Sequence, residues 1–218
     1  NNPTGTIYSE DDLRMIAEIA VKYDLFIIVD EAYEYFIYDD QKHFSIASIP
    51  GMKDRVISVF TFTKTYAMTG WRIGYLHTSE TILSEIKKVH IPYVICAPVV
   101  SQYAALAALN GDQKCVEDFR NKYLNARDLM CERLDQLKDY ISYLKPSGSY
   151  LMFPQIHDIR AKDSFEFAKL LLDKAKVSAT PGVAFGPGGE SHLRFSFCVP
   201  EEMINIAFDR IEDFFKRP

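Results

Sequence analysis

Apolar residues recur along this chain in two rhythms. Between residues 9 and 23, Leu13, Ile16, Ala17 and Ala20 fall three and four positions apart, the spacing of one helix face. Ser9, with Asp12 three residues on, adds a capping box, so a helix is predicted to start there. "DLFIIVDEAY" (24–33) is instead a continuous apolar run closed by two acids, which predicts a strand buried on both faces, as in parallel sheets. "RVISVFTF" (55–62) and "RIGYLH" (72–77) read the same way, with Gly and Thr between them for the turn. Strands alternating with helices predict an α/β layered domain.

Helical spacing returns over 79–90 and 99–109, the second stretch stopping at Asn110-Gly111. From Asp112 to about Asp139 a long helix is predicted. Val116, Phe119, Tyr123, Met130, Leu134 and Leu137 form one stripe there, with one turn skipped. After Pro146 the rhythm changes to short strands, "YLMF" and "HLRFSFC", with helices over 164–175 and 200–216. The expected organisation is residues 1–110 as part of a larger α/β domain with a mostly parallel sheet. Residues 111–218, with the long connecting helix, are expected to form a smaller α+β domain. The glycine-rich "PGVAFGPGG" (181–189) fits neither GxGxxG nor a P-loop, so nucleotide binding lacks support.

Composition narrows the partners. With 218 residues, 48% hydrophobic and 25% charged, the chain is ordinary for a globular protein, and its net charge of −5 argues against nucleic acid or an anionic membrane surface. No apolar stretch approaches the roughly 18 residues that span a bilayer. Cys96, Cys115, Cys131 and Cys198 form no CxxC, which fits a reducing cytoplasm. The histidines are scattered without an HExxH, so no metal is expected. The opening "NNPTG", a turn motif with no initiator Met, is read as the start of a fragment.

Ligands of open α/β sheets gather at the carboxyl ends of strands. Asp30 and Glu31 close the first run, and Thr61, Thr63 and Lys64 close the second, while Asn2, Pro3 and Gly5 form a turn before the first helix. A lone lysine is most often a surface residue. Partly desolvated at a strand end beside Arg72, however, Lys64 becomes a nucleophilic amine suited to Schiff bases. The fork of Arg72 suits a phosphate. Asp30 either caps an element or meets a protonated pyridine nitrogen, and Glu31 is read as a solvated charge. Lysine Schiff base plus carboxylate at a pyridinium is the pairing of pyridoxal 5′-phosphate (PLP) sites. Arg194 sits between Leu193 and Phe195, an apolar setting in which arginine calls for a bidentate carboxylate.

"NNPTG", "DEAYEYF", "TFTKTYAMTGWRIGY" and "LRFSF", in that order, resemble the PLP-dependent aminotransferases of fold type I, the aspartate and aromatic branch. The resemblance covers nearly this whole chain but only the later half of a family member. It implies that Lys64 forms the internal aldimine and shuttles the Cα proton, and that Asp30 pairs with the pyridinium. It further implies that Tyr33 hydrogen-bonds the ring oxygen, that Thr61 and Arg72 bind the phosphate, and that Asn2 contacts ring oxygen and substrate carboxylate. Arg194 then takes the α-carboxylate, Phe185 borders the substrate, and the Asn2–Pro3 bond is cis, which only X–Pro junctions allow cheaply. The implied reaction moves an amino group from an L-amino acid to a 2-oxo acid in a full-length homodimer, with the present piece inactive by itself. Two alternatives share these residues: a PLP-dependent C–S β-lyase, and a PLP-binding regulatory module attached to a DNA-binding domain.

Overall fold

The computed structural model describes residues 1–158 and 160–216. The chain forms two compact units, one of Tyr8–Asp118 and one combining Asn1–Ile7 with the residues from Phe119 on. The sequence reading expects a split near residue 110; the observed division falls eight residues later, and the opening turn groups with the later unit. The reason for that grouping is local bonding: Gly148 N donates to Gly5 O at 2.8 Å, and Ile7 N to Ser147 Oγ at 3.1 Å.

The Tyr8–Asp118 unit opens with α1 (Glu10–Lys22). Its capping box is formed, Asp12 N donating to Ser9 Oγ and Ser9 N to Asp12 Oδ2, both at 3.1 Å. Strand β1 (Ile27–Asp30) pairs in parallel with β2 (Val56–Thr61), Asp30 lying opposite Val59. The short helix α2 (Phe62–Thr65) and a 3₁₀ turn at Thr69–Trp71 then lead to β3 (Gly74–His77). That link doubles back instead of crossing over, so β3 pairs antiparallel with β2 and the expected parallel order holds for β1 and β2 only. Helices α3 (Glu80–Val94) and α4 (Val99–Asn110) follow, α4 stopping at Gly111 as its sequence predicts.

Ala17 and Ala20 of α1 pack with Ile46, Met52 and Val56, and Ile27 and Val29 join them. Burial of β1 on both faces is not observed, because Ile28 is 74% exposed. Alternate strand residues point to opposite faces, and α1 covers only the face of Ile27 and Val29.

Helix α5 (Lys114–Asp135) carries the chain out of this unit. From Phe119 on come α5's later turns, β4 (Ile141–Ser142), β5 (Leu151–Met152), β6 (Gln155–Ile156), α6 (Ser164–Ala175), β7 (Thr180–Pro181), β8 (Leu193–Ser196) and α7 (Glu201–Lys216). Strands β4 and β6 pair antiparallel, and β5–β8–β7 form a second antiparallel sheet, the α+β content expected here. Met130 and Leu134 of the predicted stripe are buried, together with Met152, Phe167, Leu193, Phe197 and Phe208. No helix among the described residues is long and apolar enough to cross a membrane.

Candidate active site

One group of candidate residues sits in the Tyr8–Asp118 unit. Thr61 ends β2 and caps α2, its Oγ1 accepting from Thr63 N at 3.2 Å. Within that single turn Phe62 and Thr65 are buried, and Phe62 packs with Met68 and Ala105. Lys64, partly exposed between two anchored residues, is therefore held on a helical turn instead of hanging in a loop. Tyr66 secures the far end, its hydroxyl donating to Gln113 Oε1 at 2.9 Å.

Asp30 ends the parallel neighbour β1, so it and Thr61 lie at the same carboxyl end of the two strands. Asp30 Oδ1 accepts from Ala32 N at 3.0 Å, a local turn that fixes the carboxylate at the exposed strand end. Tyr33 follows in the same turn, half-buried. Arg72 is exposed and adopts left-handed backbone with φ 50°, a costly conformation for a side-chain-bearing residue that concentrates at functional positions. Its Nη1 donates to Thr69 O at 3.1 Å.

Glu31, read from sequence as a solvated charge, is buried. Its Oε2 meets His43 Nε2 at 2.6 Å, and its Oε1 accepts from Ser45 Oγ at 3.1 Å. The hydrogen bond to Glu31 holds the His43 imidazole above its ordinary pKa, although burial opposes it. Burial likewise raises the carboxyl of Glu34, against the pull of His43. A strand's alternation signals this: the residue after an outward Asp30 faces inward.

The second group lies in the other unit. Arg194, half-buried on β8, donates from Nη1 to Asn2 Oδ1 at 2.9 Å and from Nη2 to Thr180 Oγ1 at 3.2 Å. Its guanidinium rests 5.0 Å from the Phe185 ring centroid, and Phe153 meets Phe185 edge-on at 5.7 Å. No carboxylate among the described residues pairs with Arg194, so a cation oriented by neutral groups still offers donors to an anion. Thr180 was not legible as a partner, because only the register of β7 against β8 sets it opposite Arg194.

Asn2 reaches this place through a tightly packed turn. The Asn2–Pro3 bond is cis, as the resemblance implies, and Gly5 has φ 71°. A Cβ at Gly5 would lie 2.6 Å from both Leu151 O and Pro146 Cβ, so only glycine fits. Buried Arg127 steadies the other side, donating from Nη1 to Pro146 O at 3.0 Å.

Comparison with known proteins places the chain in a family. The model of the family "Aminotransferase class I and II" matches residues 1–211. An aspartate aminotransferase of Pyrococcus abyssi is 42% identical over 213 residues, covering 97% of this chain and 54% of that protein. Aromatic-amino-acid aminotransferase 2 of Thermococcus litoralis is 40% identical over 218 residues, 99% of this chain and 55% of that one. The crystal structure of an aromatic aminotransferase from Pyrococcus horikoshii superposes with TM-score 0.94 at 40% identity, covering 99% of this chain and 57% of that one. The chain thus spans about half the length of the curated relatives it matches.

Proposed function

The chain belongs to the aminotransferase class I and II family, and from that premise we propose that it carries the catalytic and carboxylate-binding residues of a PLP-dependent aminotransferase. Its fold is that of the fold type I enzymes, the later part of their large α/β domain plus the smaller α+β unit. The reaction proposed moves an amino group from an L-amino acid, of aspartate or aromatic type, to a 2-oxo acid.

The residues present fit PLP by their chemistry. Asp30 offers a carboxylate of which Ala32 N engages one oxygen, and Tyr33 a phenol in the adjoining turn. Arg72 offers a guanidinium with one nitrogen bound to Thr69 O. Thr61 keeps a hydroxyl proton to donate, because its cap bond uses only a lone pair. Bound there, PLP would supply an electron sink for the carbanion formed at the amino acid's Cα. Asp30 would hold the proton on the pyridine nitrogen, since an opposite charge favours the protonated form. Lys64 would anchor the cofactor by its amine and then act as general base on the Cα proton. Arg194 and Asn2 would orient the α-carboxylate, Arg194 through its fork.

The observation that carries this reading is the Arg194–Asn2 pair, bonded across 192 positions with no carboxylate partner among the described residues. In the full-length protein Lys64→Ala is expected to abolish transamination; wild-type-like turnover would refute the role of Lys64. A panel of amino-acid donors against 2-oxoglutarate identifies the substrate class. We further place the full-length enzyme in the cytoplasm as a homodimer, the cytoplasm because all four cysteines are free. The present piece alone is expected to be inactive, and full turnover by it would overturn that. Relatives named as aminotransferases do not favour the lyase or the regulatory reading.

A further inference from the structure

The buried side of the β1 end is built as carefully as its exposed side. Glu31 N continues the parallel ladder by donating to Val59 O at 2.9 Å, so Glu31 points opposite to Asp30. Both its carboxylate oxygens are engaged, one by His43 and one by Ser45. Ser45 in turn precedes the 3₁₀ turn Ile46–Ser48, whose Ile46 is 1% exposed in the core under α1. The following turn is closed by Glu34 N donating to Glu31 O at 3.1 Å and Phe36 N to Tyr33 O at 2.9 Å. Besides the ladder bond and the buried Ala32 and Phe36 of the turn itself, residues 43–45 therefore add a side-chain tie, through the Glu31 carboxylate, to the backbone that carries Asp30 and Tyr33.

We propose that Glu31 and His43 are positioning residues for the cofactor, fixing Asp30 and Tyr33 from the buried side of the strand end. This rests on the reading of Asp30 and Tyr33 as cofactor contacts given above. An imidazole 2.6 Å from a buried carboxylate makes a charge-assisted bond. Its loss leaves the Glu31 carboxylate short of a donor, which frees the turn and the acid at its edge.

The test uses the full-length protein and three variants, Glu31→Gln, His43→Phe and His43→Gln. PLP affinity is measured by equilibrium dialysis, the pH midpoint of the bound cofactor's absorbance by titration, and stability by melting of the apo form. Glu31→Gln and His43→Phe are expected to weaken PLP binding by about tenfold, the scale of one charged hydrogen bond, and to shift the midpoint. The side-chain amide of His43→Gln still donates to Glu31 and is expected to recover most of the affinity. Wild-type affinity and midpoint in His43→Phe would overturn the inference, as would equal losses in His43→Gln and His43→Phe that follow apo melting. Should His43→Phe fail to fold, the near-isosteric Glu31→Gln decides in the same way. Asp30→Ala is run beside them: unchanged PLP binding there defeats the site reading itself, and weakened binding there with intact clasp variants defeats this inference alone.

Discussion

Leu193 and Phe195, on either side of Arg194, are 1% and 7% exposed, whereas Ile28, Tyr93, Ile95 and Tyr103 of the other unit are 74%, 85%, 77% and 71% exposed. The arginine stands on a strand backed by a closed core in which α6 and α7 bury Phe167, Leu171, Phe208 and Ile211. The lysine stands on one helical turn held at Phe62 and Thr65, in a unit whose α3 buries no residue at all. The residues assigned to carboxylate therefore rest on a closed core, and those assigned to cofactor on a small buried cluster around Phe62 together with caps and hydrogen bonds at strand ends.

Core truncation tests that contrast most severely. Phe208→Ala is expected to cost about 3–5 kcal/mol in urea unfolding, and Tyr93→Ala no more than about 0.5 kcal/mol. Equal losses would show that α3 is supported as firmly as α7. Arg194→Lys comes next in size. It keeps the charge and removes the fork, so KM for the amino acid in the full-length enzyme should rise about tenfold to a hundredfold with PLP affinity unchanged. A parallel loss of PLP affinity would deny that the two groups have separate duties.

The smallest effect is the pH response of the Glu31–His43 pair. His43 is held above its ordinary 6.5 by the hydrogen bond to Glu31, burial opposing and the charges of Glu31 and Glu34 assisting. Among the described residues, those two acids, from the β1 end and the turn after it, are the charged groups that act on it. Tyr35, Tyr66 and Tyr75, influenced by Glu34, are raised by burial and stay neutral near pH 7. A pKa raised on folding adds stability that is fully present below 6.5 and is lost as pH rises through the folded value. The stability gap between wild type and His43→Phe should thus narrow as pH increases; a gap that widens would contradict it.

Local pattern determined much of this molecule. The Ser9–Asp12 box started α1, Asn110-Gly111 ended α4, and Val116, Met130 and Leu134 of the predicted stripe are buried along α5. It also singled out Lys64, Asp30 and Arg194, because charged or reactive groups set at the ends of apolar runs stand out against them. What the pattern left open were relations between segments. The reversal of β3, the bare face at Ile28, the register that brings Thr180 to Arg194, the reach of Asn2 across 192 residues and the hold of His43 on Glu31 all belong to this class. Periodicity states which face of an element is apolar, since that follows from backbone geometry alone. Which partner that face or side chain meets depends on how intervening turns aim the chain, and only the assembled tertiary structure decides it.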